Sequence, residues 1–194
     1  MNFEITVVAS KNRKALTDTW LKNTSYQNSI TPNYELPKNW KPTVTGLVNN
    51  HLGAYRCFRG HQDALKLGTK DNVLILEDDA IPLVSNKEEL LKILSDSIGL
   101  LGHYELVSYH GRQFNRECFE SVMGNTKYIT PNCPNPWIVA ALAYMVNRKS
   151  IKRLLTYEYD GTPWDILLYR NFHYCLMEQS IFAHDRQEGS LIDV

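Results

Sequence analysis

Residues 72–82 read Asn72-Val-Leu-Ile-Leu-Glu-Asp-Asp-Ala-Ile-Pro82, so that an uninterrupted apolar run leads directly into three carboxylates. A strand that is apolar on both faces is typical of the centre of a mostly parallel sheet that helices cover on both sides. In sheets of this kind, ligands bind at the carboxyl ends of the strands. The stretch therefore predicts an α/β fold in which the three acids lie at the binding edge.

The segments around this run alternate between strand and helix patterns. Phe3 to Ala9 has the β-branched composition of a strand, and Ser10 begins a helical pattern. Gly53 to Leu67 predicts a half-buried helix with His61 on its apolar side. Further predicted elements are a helix capped by Asn86, strands over Leu106–Tyr109 and Ile138–Val146, a basic helix over Arg148–Leu155, and a long ordered loop over Ser25–Asn50. The alternation predicts one domain over residues 1–194, with a central sheet flanked by helices.

The composition excludes several classes of protein. The chain has 21 Lys plus Arg and 21 Asp plus Glu, which argues against a protein that binds polyanions through bulk charge. No apolar stretch approaches the ~20 residues of a membrane span. The first ten residues lack the basic region of a signal peptide, so a cytoplasmic location is expected. The four cysteines have no short paired spacing, which favours reduced thiols over a zinc site or a disulfide scaffold.

The acidic cluster has the greatest chemical content in the sequence. Side chains alternate along an extended segment, so Glu77 and Asp79 can point to one side while Asp78 points away. Hard oxygen ligands at a strand end suit Mg²⁺ or Mn²⁺, which can hold a diphosphate and neutralise its charge as it leaves. The alternative is a solvated acidic turn.

The segment Val73-Leu-Ile-Leu-Glu-Asp-Asp-Ala80 resembles the signature of glycosyltransferase family 25, which includes lipooligosaccharide and collagen galactosyltransferases. Two weaker resemblances follow in the order that the family has them: Ala141-Leu-Ala-Tyr-Met-Val-Asn-Arg-Lys-Ser150, with Ala140 to Leu142 in place of the family's Gly-Thr, and Pro163-Trp-Asp165. One departure is Phe58, which stands where the family has a histidine, while His61 lies one turn later. The resemblance implies a GT-A-like fold, a divalent metal and a nucleotide-sugar donor, with a UDP-sugar as the expected donor.

The same resemblance implies roles for particular residues. Asp79 is expected to ligate the metal, Glu77 to reach the metal or its water, and Asp78 to orient toward the ribose or sugar. Arg13, in the polar turn after the first strand, is a candidate contact for the nucleotide. His184 is a further candidate metal ligand by analogy of position, and a surface histidine is its alternative.

Two more candidates follow from their positions. If transfer inverts the anomeric centre, a base must take a proton from the acceptor hydroxyl, and Asp165 is the candidate. Its alternative is a favourable interaction with the dipole of the helix that begins there. Arg112 follows a predicted strand end with His110 and suits a phosphate or an acceptor anion, although a solvated loop is equally compatible.

The leading hypothesis is a metal-dependent glycosyltransferase that moves a hexosyl or pentosyl unit from a nucleotide diphosphate sugar to a hydroxyl acceptor. The alternatives are a nucleotidyltransferase, which uses the same carboxylates and metal, and a non-catalytic nucleotide-sugar or glycan-binding module. The acceptor could be a saccharide or a hydroxylated DNA base. The DNA alternative requires convergence of basic residues, for which the candidates are Arg56, Arg59, Arg112, Arg116, Lys149, Lys152 and Arg153.

Overall fold

A computed structural model describes residues 1–10, 20–113, 115–133, 136 and 138–184. Its helices are α1 (His51–Leu67), α2 (Lys87–Asp96), α3 (Arg148–Leu154) and α4 (Trp164–Asn171), with 3-10 segments at Ser97–Gly102 and Arg116–Cys118. Its strands are β1 (Glu4–Ser10), β2 (Gln27–Thr31), β3 (Asn72–Glu77), β4 (Ala80–Pro82), β5 (Leu106–Ser108), β6 (Arg112–Gln113), β7 (Phe119–Val122), β8 (Asn125–Pro131), β9 (Ile138–Val139), β10 (Ala143–Asn147), β11 (Tyr174–Met177) and β12 (Phe182–His184).

The main sheet has eight strands in the order β2-β1-β3-β10-β5-β11-β8-β7. Strands β1, β2 and β3 are parallel neighbours, as are β5 and β11. Strands β10 and β8 run opposite to the others, and β10 separates β3 from β5. The predicted α/β architecture with a central sheet flanked by helices is confirmed, and the apolar run forms an interior strand of it. Six of the eight strands run in one direction, but four of the seven neighbouring pairs are antiparallel, so the sheet is mixed.

The side chains of β3 explain why the sheet is covered on both faces. Val73 and Ile75 belong to one core cluster, whereas Leu74 and Leu76 belong to the other, and all four are fully buried. The first cluster is completed by α1, α3 and α4, and the second by α2. Asn86 accepts hydrogen bonds from the backbone N–H groups of Glu88 and Glu89, which confirms the predicted cap of α2.

Two predicted boundaries were wrong. The loop predicted over Ser25–Asn50 contains β2, which pairs with β1 at the edge of the sheet. The strand predicted over Ile138–Val146 is divided into β9 and β10 by Ala140, whose φ is +87°. A positive φ is incompatible with an extended ladder, and a non-glycine residue rarely adopts it. The break could not be predicted from the sequence, because residues 138–146 are almost all apolar.

The prediction of reduced thiols was wrong for two of the four cysteines. Cys118 and Cys133 form a disulfide with a Cα–Cα distance of 5.0 Å, whereas Cys57 and Cys175 are free. The bridge crosses the base of the hairpin formed by β7 and β8, where Phe119 pairs with Pro131. Hairpin pairing brings together two cysteines that lie 15 positions apart, a spacing that suggested no pairing in the sequence.

The basic residues of α3 lie far from the acidic cluster. Helix α3 follows Asn147, which pairs with Asn72 at the beginning of β3, whereas Glu77 is at the opposite end of that strand. Arg153 donates to Glu105 at 2.9 Å. Lys149, Lys152 and Arg153 therefore do not contribute to a basic face at the carboxylate edge. Among the described residues, none of the helices combines the length and apolarity that crossing a bilayer requires.

Candidate metal and nucleotide-sugar site

The acidic cluster lies where β3 leaves the sheet. Glu77 is the last residue of β3, and its backbone N–H donates to the carbonyl of Leu142 at 2.9 Å. Asp78 and Asp79 form a turn into β4, which pairs with β12 so that Ala80 faces His184. The acids thus lie at the carboxyl end of β3, as the apolar run predicted, and the pairing of β4 with β12 brings His184 to the same place.

Glu77, Asp79 and His184 form a compact group of potential ligands. One ligand atom from each lies within 4.8 Å of those of the other two, and Nδ1 of His184 is 3.3 Å from Oδ2 of Asp79. The side chains are 25%, 14% and 29% exposed, so the group is sheltered and still open to solvent. Ligands 2.1 Å from a divalent ion are at most about 4.2 Å apart, so small side-chain movements would accommodate Mg²⁺ or Mn²⁺. Two carboxylates and an imidazole are donors that Mn²⁺ accepts.

Behind Glu77 lies a buried chain of polar groups. Nε2 of His61 is 3.2 Å from Oε1 of Glu77, and Nδ1 of His61 is 3.0 Å from the hydroxyl of Tyr144. The indole N–H of Trp164 donates to the same hydroxyl at 3.0 Å. The imidazole and indole rings are stacked, with centroids 5.2 Å apart and planes at 9°. The prediction that His61 faces inward is confirmed. Its contact with Glu77 was not predicted from the sequence.

Cys57 lies next to these hydrogen-bonded side chains, but its thiol is not activated as a nucleophile. Burial raises the pKa of the Cys57 thiol well above its usual value, and the charges of Glu77 and Asp165 raise it further. The thiol therefore stays protonated near neutral pH, which disfavours it as a nucleophile. Cys57, His61 and Glu77 also have potential ligand atoms within 4.8 Å of one another. However, His61 is fully buried and the Cys57 thiol stays protonated, whereas a thiolate is the form that binds a metal, so this second group is less suited to an ion.

Asp165 lies in the first turn of α4, outside the Glu77, Asp79 and His184 group. Its Oδ2 accepts from the backbone N–H of Ala140 at 3.0 Å, and its Oδ1 accepts from that of Ile166 at 2.8 Å. The hydroxyl of Tyr169 donates to the carbonyl of Ala140 at 2.9 Å. Asp165 and Tyr169 thus form hydrogen bonds with both backbone polar groups of Ala140, which has a positive φ. A catalytic role of Asp165 stays a prediction.

The remaining candidates differ in how the structure places them. Asp78 is only 4% exposed and belongs to neither of the two ligand groups among the described residues, so its contact with the donor stays a prediction. His110 packs edge-on against His184, with ring centroids 5.2 Å apart, and so lies beside the site. Arg112 begins β6, but its side chain lies outside what the structure describes, as does the whole of Arg13.

Two tryptophans in or near the predicted loops are anchored in the protein. Trp164 is 2% exposed, beneath His61. Trp40 stacks on Tyr159 with centroids 5.1 Å apart, and its indole N–H donates to the carbonyl of Tyr159 at 3.1 Å. These contacts anchor the loop that contains Trp40 and the helix that begins at Trp164. Sequence reasoning missed Tyr144, whose position in a continuous apolar run carried no polar signal.

No protein-family model and no curated protein matches the sequence. The fold of this chain is nevertheless similar to those of several solved structures. The mannose-1-phosphate geranyltransferase from Thermus thermophilus matches with a TM-score of 0.50 and 10% identity, over 95% of this chain and 76% of that one. A glycosyltransferase involved in the glycosylation of the major capsid of PBCV-1 matches with a TM-score of 0.47 and 12% identity, over 98% and 96% of the two chains.

HddC from Yersinia pseudotuberculosis, complexed with GMP-PN, matches with a TM-score of 0.45 and 12% identity, over 92% of this chain and 71% of that one. At such low identity these likenesses concern the fold alone. None of them supports glycosyltransferase family 25 in particular. The chain has a mixed α/β fold of the GT-A-like kind, in which a large central sheet is flanked by helices.

Proposed function

We propose that the protein is a metal-dependent glycosyltransferase that transfers a sugar from a nucleotide diphosphate sugar to a hydroxyl acceptor. The observation that carries the proposal is the convergence of Glu77, Asp79 and His184 at the carboxyl end of β3. This is the edge at which α/β sheets bind their ligands. A solvated acidic turn would not require a histidine from a distant strand beside its carboxylates.

The proposed roles of Glu77, Asp79 and His184 rest on this geometry, and those of Asp78, Arg13 and Arg112 rest on the sequence. Asp79 and His184 would hold Mn²⁺ or Mg²⁺ together with Glu77, and the bound ion would neutralise the charge of the departing diphosphate. Asp78 is proposed to orient the ribose or the sugar, and Arg13 and Arg112 to bind the nucleotide phosphates or an acceptor anion. A UDP-sugar is the first donor to test.

The acceptor must lose a proton when the new glycosidic bond forms. Asp165 is our candidate base for an inverting reaction, because a carboxylate beside the donor can take this proton. Its oxygens are also hydrogen-bonded to backbone N–H groups, so substrate would have to compete with these contacts. A saccharide hydroxyl is the first acceptor to test, because three of the seven basic residues that a DNA-binding face would need, those of α3, are far from the site.

A panel of sugar nucleotides, incubated with Mn²⁺ and candidate acceptors, tests this function through the release of nucleoside diphosphate. The matched variants are Asp79→Asn and Asp96→Asn, since Asp96 is an exposed carboxylate at the end of α2 that forms an ion pair with Lys92. Asp79→Asn should lower the rate by at least about 10- to 100-fold, the loss that is typical of changing even an outer-shell partner of a metal ligand. Asp96→Asn should retain the wild-type rate.

The same assay distinguishes the alternatives. Consumption of a nucleoside triphosphate with release of pyrophosphate would replace the proposal with a nucleotidyltransferase. Metal-dependent donor binding without turnover or donor hydrolysis would indicate a binding module. Full activity of Asp79→Asn would show that the acidic cluster does not bind the metal.

A further inference from the structure

We infer that His61 is a positioning residue that fixes the orientation of the Glu77 carboxylate for the metal. The inference rests on the proposed function, because it assumes that Glu77 is a metal ligand. Its basis is the continuous set of contacts from Trp164 through Tyr144 and His61 to Glu77, in which each neighbouring pair is 3.0 to 3.2 Å apart.

The direction of each hydrogen bond follows from what the groups can donate. The indole nitrogen of Trp164 has a proton and no available lone pair, so it donates to the oxygen of Tyr144. The Tyr144 hydroxyl then donates its hydrogen bond to Nδ1 of His61. This leaves the proton of the neutral imidazole on Nε2, which faces the carboxylate of Glu77. The tautomer that satisfies every member of the chain is therefore the one that donates to Glu77.

His61 is well suited to hold a carboxylate in place. It is fully buried, and its ring is stacked on that of Trp164, which is itself 2% exposed. Glu77 has more freedom, because its side chain is 25% exposed. A hydrogen bond from a fixed imidazole to Oε1 leaves Oε2 of Glu77 available to a ligand. Such support of metal-binding groups typically contributes 10- to 100-fold in metal affinity or activity.

Two substitutions of His61 separate this role from simple packing. The amide nitrogen of Gln lies the same number of bonds from Cβ as Nε2 of His, whereas the amide oxygen of Asn, which can accept from Tyr144, corresponds to Nδ1. His61→Gln therefore keeps a donor toward Glu77 and gives up the contact with Tyr144. His61→Asn does the reverse. Both variants lose the ring, so the cavity and the lost stacking affect them alike.

The measurement is the dissociation constant of Mn²⁺ alone, obtained from the electron paramagnetic resonance signal of the free ion, with thermal unfolding of each variant as a check on folding. We expect His61→Gln to bind Mn²⁺ within about threefold of the wild type and His61→Asn to bind 10- to 100-fold more weakly. Tyr144→Phe preserves the volume of the core and leaves His61 free to change tautomer. It should weaken binding by an intermediate factor.

Equal losses of affinity in the Gln and Asn variants would show that packing explains the effect and would overturn the inference, while the metal site itself would stand. An unchanged affinity in Tyr144→Phe and in both His61 variants would overturn it as well. Failure of the wild type to bind Mn²⁺ would contradict the proposed function and the inference together, so the two failures are distinguishable.

Discussion

Asp165 has a structural role and a proposed catalytic role that compete for the same carboxylate oxygens. Its two oxygens accept hydrogen bonds from the backbone of Ala140 and of Ile166. Ala140 has a φ of +87°, a conformation that costs an L residue about 1–2 kcal/mol. The surroundings must therefore hold it there, and Asp165 is one of the groups that do so.

We predict that Asp165→Ala lowers the free energy of unfolding by about 1–3 kcal/mol, because the partly buried N–H of Ala140 loses its acceptor. Urea unfolding measures this change. Asp165→Asn is the matched variant, since it keeps one oxygen and should lose less stability. If both variants keep wild-type stability but lose turnover, the catalytic role of Asp165 is favoured over the structural one.

Glu4 makes a pH-dependent contribution to the free energy of unfolding through its local hydrogen bonds. Partial burial works to raise the pKa of its carboxyl, but backbone N–H donors from Thr69 and Lys70 and the amide of Gln27 outweigh it and lower the pKa below the usual 4.5. A carboxyl whose pKa is lowered by folding stabilises the protein above its unfolded pKa. That contribution is lost as the pH falls through the lowered folded value.

Glu4→Gln should therefore lower the free energy of unfolding by about 1 kcal/mol at pH 7, and the difference from the wild type should shrink below pH ~4.5. Denaturant titrations between pH 3 and pH 7, a range chosen to span roughly the ordinary Glu pKa, would measure it. Glu120→Gln serves as a control, because Glu120 is exposed on β7. A difference that is independent of pH would contradict the assigned hydrogen bonds.

At the scale of elements, the hairpin of β7 and β8 is closed by a covalent link. The disulfide joins residues 15 positions apart, and a loop of this size is stabilised by about 3 kcal/mol in the chain-entropy view. We predict that a reducing agent lowers the unfolding midpoint of the wild type in urea. The double variant Cys118→Ser/Cys133→Ser should show the lower midpoint with or without the agent. An equal response of both proteins to reduction would implicate Cys57 or Cys175.

Elements with a strong local pattern were predictable, and those defined by distant partners were not. The apolar run of β3 and the periodic face of α1 located both elements within two residues. β2 was missed because an edge strand among prolines has mixed burial, with only Ser29 buried along its length. The break at Ala140 depends on Asp165 and Tyr169, which no local pattern around Ala140 reveals.

At the scale of the whole molecule, the site residues with a local sequence pattern were likewise predictable, and those placed by distant partners were not. Glu77 and Asp79 could be predicted, since three acids after a buried strand are conspicuous. His184 was predicted only by analogy of position, because the pairing of β12 with β4 has no sequence signature. The contact of His61 with Glu77 arises from packing α1 against the sheet, and a helical pattern shows only that His61 faces inward.

A bound ion should stabilise the whole fold, since it binds the folded protein and the cluster does not exist in the unfolded chain. At 100 times its dissociation constant, Mn²⁺ should add about 2.7 kcal/mol, which corresponds to a rise in Tm of roughly 5–10 °C for a chain of this size. Thermal unfolding with and without Mn²⁺ measures the shift. Asp79→Asn should abolish it and Asp96→Asn should retain it. A shift that Asp79→Asn leaves unchanged would locate the ion elsewhere.

The pairing of β12 with β4 also sets an order of events during biosynthesis. Asp79 and His184 are 105 positions apart, so a ribosome that adds about 5–20 residues per second finishes the carboxylates several seconds before it makes the histidine. Through that interval the nascent chain has its acids but not the complete ligand group. The proposed ligand group is therefore complete only after all eight strands of the main sheet have been synthesised.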